Sequence, residues 1–197
     1  MDYKEKTKLF KVRKTLLEML EDRKYKISDE IKNLNLQHFM AKYENDDIDI
    51  VLDNMYVKFF EEPKSFAKND LKNIHKDIIE EHGNSINILI IIKDKIASAV
   101  NNELSKDIYY NTEIFTHNQL IFNITKNYLV PKHILLTEDE KQEVYKKYNM
   151  KNNDKFQQIL VSDPIAKYYA MKVGDLCKII RSSPSSGIGI SYRAVRN

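Results

Sequence analysis

Apolar side chains recur along this chain in three rhythms, and each predicts a different element. Leu9, Val12, Leu16 and Leu20 repeat at helical spacing, with Phe10, Leu17 and Met19 on the flank and Lys and Arg on the other face. That spacing predicts an amphipathic helix with its apolar stripe on a core. A short helix over Leu36 to Tyr43 follows Asn35, whose side chain suits a cap. Ile48 to Leu52 and Met55 to Phe60 read as paired strands around Asp53-Asn54. Helical spacing returns from Phe66 to Glu81, with Leu71, Ile74, Ile78 and Ile79 on one face and Gly83 as the stop. Ile86 to Ile92 is apolar on both faces, which predicts a strand in the middle of a sheet covered on both sides. Ser98 is expected to cap a short helix, and two further short elements fall within 108–124. Helix, paired strands, helix and buried strand make an α/β layered unit, a mixed sheet with flanking helices.

The last third has a different grammar. Thr137-Glu138-Asp139-Glu140 is a capping box, and its three acids sit where the helix dipole favours negative charge. The helix it opens should run through Val144, Tyr145 and Tyr148 and end near Asn149. Asp163-Pro164 starts a second helix, with Asp as N-cap and Pro at the first helical position. Val173-Gly174-Asp175 predicts a turn, and Leu176 to Ile180 a strand. Ser182 to Gly189 holds four serines, one proline and two glycines in eight residues, so a loop is expected there, with Ile190 to Val195 as the closing strand. A helical pair followed by a hairpin is a small α+β domain.

Composition narrows the function classes. At 197 residues the chain suits one or two domains. No apolar run approaches membrane-spanning length, and no membrane partner is expected. The first residues, Met1-Asp2-Tyr3-Lys4-Glu5, lack the apolar segment of a secretory signal. The single cysteine, Cys177, reads as a small buried core residue in a reducing compartment. Lysine outnumbers arginine 27 to 5, with 24 isoleucines and 18 asparagines, the bias of an AT-rich genome. Residues 1–126 carry 20 basic and 22 acidic side chains, whereas 127–197 carry 12 and 7. Nucleic-acid contact by the first part must therefore be local.

Candidate chemistry is sparse. Asp53, Glu62 and Lys64 have the spacing of a metal-dependent nuclease, in which two carboxylates hold Mg²⁺ and a lysine steadies the attacking water. That is the alternative enzymatic reading. His38, His75, His82, His117 and His133 are not at ligand spacing, so no metal and no cofactor is expected. No Gly-rich phosphate loop, nucleophile elbow or cysteine cluster is present, and no catalytic residue is assigned.

Four segments of the last third carry a resemblance. They are Leu129-Val130-Pro131-Lys132-His133, Asp163-Pro164-Ile165-Ala166-Lys167-Tyr168-Tyr169, Val173 through Arg181, and Ile190-Ser191-Tyr192-Arg193. In that order and at those gaps they resemble the assembly domain of the RNA polymerase subunit shared by all nuclear polymerases of eukaryotes, the fifth subunit, which has a short archaeal counterpart. Phe59 through Lys64, the 86–92 strand and Leu120 through Thr125 resemble the jaw domain of the same family, which is nuclease-like in fold and absent from the archaeal form. The resemblance implies a jaw over 1–126, an assembly domain over 127–197 and no catalysis by the chain itself.

It also implies partners and sites. The assembly domain would dock on the largest polymerase subunit beside other core subunits, through Pro131, His133, Asp163, Pro164, Arg181, Gly187, Tyr192 and Arg193. The jaw would touch downstream double-stranded DNA through the loop after the central strand, where the family usually reads Thr-Pro-Ser-Ala and this chain reads Ile96-Ala97-Ser98-Ala99. Lys93, Lys95, Ala97 and Ser98 are the contacts so implied, with transcription factors as further partners. The place of work would be the nucleus for a cellular chain, or the virion or cytoplasmic factory of a large DNA virus.

Overall fold

Five consecutive apolar residues, Ile88 to Ile92, are buried on both faces of a strand, and that is possible only where helices cover both sides of a sheet. The computed structural model describes residues 3–44, 48–61, 65–93, 95–183 and 187–197. The chain divides into two compact units, Met1–Phe122 and Asn123–Asn197.

In the first unit the order is α1 (Tyr3–Asp22), α2 (Asp29–Lys32), α3 (Leu36–Glu44), β1 (Ile50–Leu52), β2 (Met55–Phe60), α4 (Lys68–His82), β3 (Asn87–Ile92), α5 (Ser98–Leu104), β4 (Thr112–Thr116) and α6 (His117–Leu120). The sheet order is β1-β2-β3-β4. β1 and β2 are antiparallel around the predicted turn, and β2, β3 and β4 are parallel, with Phe60 opposite Ile92 and Ile92 opposite Thr116. Phe60, Ile88, Ile90, Ile92 and Ile114 on one face pack with Leu71 and Ile78 of α4 and Val100 of α5. On the other face Arg23, just past the end of α1, holds Glu113 of β4 and lies over the Phe115 ring. β4 is a strand that periodicity did not separate from its surroundings.

Local chemistry sets the helix ends. Asp70 accepts the Ala67 N–H at 2.9 Å and opens α4, and Gly83 closes it at φ 85. Asn35 caps α3 as expected, accepting from the N–H of His38 at 2.8 Å. Ser98 does not cap α5: the capping position is Ala97, which has no hydroxyl to offer, and Ser98 is the first helical residue. The basic face of α1 is also not wholly outward, since Arg13 is buried.

In the second unit the order is β5 (Lys132–Leu135), α7 (Glu138–Lys147), β6 (Gln157–Leu160), α8 (Pro164–Tyr168), β7 (Leu176–Ser183) and β8 (Gly187–Arg196). The sheet order is β5-β7-β8-β6, with β6 parallel to β8 and the other pairs antiparallel. α7 packs Val144 and Tyr145 on Leu176 and Ala194, while Ala166 of α8 packs with Cys177, Ile179, Val195 and Ile159. Those two sets lie on opposite faces, so the helices sandwich the sheet rather than pairing with each other. The Thr137 box and the Asp163 cap are formed as their sequences predict. The expected Ser182–Gly189 loop is corrected: β7 runs to Ser183 and β8 starts at Gly187, with Ser182 opposite Ile188. Alternation of Ile188 and Ile190 on one face keeps the hairpin in register, and Gly187, at φ 71, adopts a backbone conformation that suits glycine.

Candidate DNA-facing loop and docking faces

Three parallel strands of the first unit end side by side, and each leads directly into a polar residue. Glu61 comes after β2, Lys93 after β3 and His117 after β4. Carboxyl ends of parallel strands are where α/β sheets place ligands. The side chains of Glu61 and His117 are almost wholly buried, with Oε1 and Nε2 2.7 Å apart. Between these exits runs the β3–α5 loop. Lys93 is exposed and its Nζ lies 2.6 Å from Glu5 Oε1 on α1. Lys95, Ala97 and Ser98 are exposed as well. The first turn of α5 has no side-chain cap, and within it the Val100 N–H donates to the Ala97 carbonyl at 3.0 Å.

Below the loop the charges are locked. Glu103 of α5 is buried and accepts from Lys106 at 2.8 Å and Lys68 at 2.9 Å, with Lys72 at 3.9 Å. Those hydrogen bonds pull its carboxyl down to about 2. The sequence signal for this cluster was weak, because its lysines come from two separate parts of the chain.

The nuclease reading finds no support. Asp53 stands exposed in the turn before β2, while Glu61 lies past the far end of that strand, about 20 Å away at strand rise. Glu62 and Lys64 lie outside the described residues. Among the described residues no group of three His, Cys, Asp or Glu could hold a metal ion.

In the second unit the implied docking residues fall on both faces of the sheet. His133, Arg181 and Arg193 share the face that α8 covers, since Ile179 is opposite His133 and Cys177 is opposite Arg193. His133 donates from Nδ1 to the Pro131 carbonyl at 2.7 Å, a bond within one short segment. Asp163 accepts from the Ile165 N–H at 2.8 Å with Pro164 at the first helical position. Cys177 is buried, which pushes its thiol up to about 11. Arg181 is exposed near the hairpin, and the Nε of Arg193 is buried without a hydrogen-bond partner among the described residues. Tyr192 lies on the other face, edge-on to Tyr148 at 5.7 Å and to Phe156 at 6.2 Å, and burial raises its hydroxyl pKa.

Beyond Tyr192 that face ends in two apolar side chains, Ile190 at 52% and Ile188 at 67% exposure. Ile190 opens the predicted closing strand, whereas Ile188 falls in the expected loop, because the serine-rich composition masks the alternation Ile188-Gly189-Ile190. Tyr128 and Leu129 are also exposed in this unit.

Two family models cover most of this chain. The RNA polymerase Rpb5 N-terminal domain matches residues 3–78, and the RNA polymerase Rpb5 C-terminal domain matches residues 122–195. A subunit of DNA-directed RNA polymerases I, II and III from Dictyostelium discoideum is 33% identical over 193 residues, covering 94% of this chain and 96% of that one. Its counterpart in Caenorhabditis elegans is 30% identical, covering 98% of each. Subunit 5B of polymerases IV and V from Arabidopsis thaliana is 29% identical, covering 95% of this chain and 89% of that one.

Proposed function

The chain belongs to the RNA polymerase Rpb5 family, a non-catalytic subunit of DNA-directed RNA polymerase, and from that membership we propose a division of labour between its two units. The observation that carries the proposal is the match of both family domains, with relatives aligned over nearly the whole chain. The second unit is the assembly domain, docking on the largest subunit beside other core subunits. Pro131, His133, Asp163, Pro164, Gly187 and Tyr192 shape that surface, and Arg181 and Arg193 grip carboxylates or carbonyls of the partner. The exposed Ile188 and Ile190 support this reading, because apolar side chains raised on a hairpin suit the core of an interface.

The first unit acts as the jaw beside downstream duplex. Lys95 and Ser98, with Lys93 and Ala97, contact phosphates without reading sequence, since the loop offers lysines, a hydroxyl and backbone N–H groups but no Arg, Asn or Gln suited to bidentate base recognition. Transcription factors reach the polymerase over the same unit. Relatives that serve polymerases I, II and III favour work in the nucleus. A chain encoded by a large DNA virus would do the same work in the virion or viral factory; the lysine, isoleucine and asparagine excess is the bias of an AT-rich genome, which fits a microbial eukaryote and such a virus alike.

Affinity purification of the tagged chain tests the core of the proposal. It should bring down the two large catalytic subunits in fixed one-to-one stoichiometry. Recovery of the chain alone, or with substoichiometric polymerase, would remove the subunit reading.

A further inference from the structure

Among the described lysines and arginines, Arg13 alone is buried as a whole residue, at 6% exposure. It stands on α1 between Val12 and Leu16, two residues with no exposure at all. Its Nη2 donates to the Ile31 carbonyl at 2.9 Å, near the end of α2, where carbonyls lack helical donors. Among the described residues that is its one hydrogen bond, and no carboxylate pairs with it. Asp49 and Glu30 line the same cavity, but Asp49 is already engaged by Lys58 Nζ at 2.7 Å, the Tyr56 hydroxyl at 3.2 Å and the Phe59 N–H at 2.9 Å. A guanidinium has five N–H donors in a fixed fork and stays protonated in proteins. Here most of those donors have no acceptor among the described residues.

The cavity has a volume of about 300 Å³, the lower end of what a small ligand needs. Arg13 forms part of its lining, with Ile31, Leu34, Phe39 and Ile50 as apolar wall and exposed Lys42 at the edge. Phe39 is held firmly, at 1% exposure and with its ring centroid 5.4 Å from that of Phe10. The guanidinium is largely out of water and no carboxylate pairs with it among the described residues, so a ligand carboxylate would add a charge-assisted partner.

We propose that this cavity binds a carboxylate carried on an apolar body, with the Arg13 fork on the two oxygens and Leu34, Phe39 and Ile50 around the apolar part. A planar carboxylate matches a single planar fork, whereas phosphate would leave oxygens against apolar wall. Such a group comes either from a free small acid or from the C-terminus of a polypeptide ending in an apolar residue. Both present the same chemistry.

The test uses the full chain, isotope-labelled, with NMR detection at the Arg13 Nε–H and the Leu34 and Ile50 methyl groups. The probes are N-acetyl-leucine, its amide, inorganic phosphate and a Gly-Ser-Gly-Leu peptide with a free C-terminus. N-acetyl-leucine should give saturable shifts at Arg13, with the amide and phosphate each at least about ten-fold weaker. Binding of the peptide as tightly as the small acid would make a chain terminus the source, and exclusion of the peptide would make it a free acid. Arg13→Met should abolish the preference for acid over amide, and Arg13→Lys should keep the preference at lower affinity. Equal binding of acid and amide, phosphate as tight as the acid, or a preference that survives in Arg13→Met would overturn the site. Arg13 would then only join α1 to α2. The comparison of probes on the unmodified chain stands even where a variant fails to fold.

Discussion

Glu113→Gln is expected to destabilise the N-terminal unit more than Arg23→Met, although Glu113 is the more exposed partner. The two side chains meet fork to fork, Nη1 to Oε1 at 3.0 Å and Nη2 to Oε2 at 2.8 Å. The Arg23 side chain is 4% exposed and that of Glu113 is 37%. Neutralising Glu113 takes from a buried guanidinium the carboxylate that meets it fork to fork, a change that costs about 3–5 kcal/mol for a fully buried pair. The Phe115 ring, 5.8 Å from Cζ, faces the guanidinium with or without Glu113 and leaves that difference unchanged. Arg23→Met removes the charge itself and keeps much of the stem's packing, while half-exposed Glu113 returns to water. Its cost is about 1–2 kcal/mol, the net worth of charge-assisted bonds with one solvated partner. The double variant should resemble Arg23→Met, giving a large coupling energy. The chain has no tryptophan and two units, so urea unfolding is best followed by hydrogen exchange at β3 and β4 amides. A gap of about 2 kcal/mol moves the urea midpoint by about 1 M. If Glu113→Gln proves the milder change, the buried cation does not set the cost.

Four further outcomes are expected. Residues 123–197 should fold alone, giving a cooperative melt by circular dichroism, and should bind the largest polymerase subunit; binding by 1–122 instead would reverse the proposed roles. Arg181→Ala should weaken assembly in pull-down while leaving the melting temperature of that fragment within about 2 °C, because Arg181 is exposed. Glu103 has its carboxyl depressed to about 2, so its contribution to stability is complete above its unfolded value near 4.5 and is lost as pH falls toward 2; Glu103→Gln should remove that part of the acid-melting profile, and an unchanged profile would contradict the assignment. A photo-crosslinker at Lys95 should reach downstream DNA in an assembled elongation complex, while replacing Lys95 with Ala should lower the salt slope of that contact by about one unit uniformly across sequences.

Where one residue type does one local job, the sequence was readable. Asn35, Thr137, Asp163 and Gly83 bound their helices as expected, and the unbroken apolar run of 88–92 announced a central strand. Short strands whose partners are distant were not readable. Gln157 to Leu160 alternates too briefly to signal a strand, and it exists because β8 offers a parallel edge more than thirty residues later. Serine composition hid the hairpin because turn residues also fit exposed strand positions. Of the candidate site, His133–Pro131 and the Asp163 cap came from neighbours in sequence. Arg13, Arg23–Glu113 and His117–Glu61 did not, since each depends on which face of an element turns inward.

The pairing order of the second sheet also bears on how the chain is made. Among the described residues β5 has β7 as its only sheet neighbour, and β6 has only β8, so the first two strands have nothing to pair with until the last two are synthesised. The parallel pair closes only when Arg196 can lie beside Leu160. The first unit, whose four described strands are complete by Thr116, faces no such wait. A chain cut short before Gly187 would therefore carry a finished N-terminal unit and an unassembled sheet behind it. If docking belongs to the second unit, incorporation into polymerase reads whether translation went all the way, and prematurely terminated copies are rejected without any dedicated inspector.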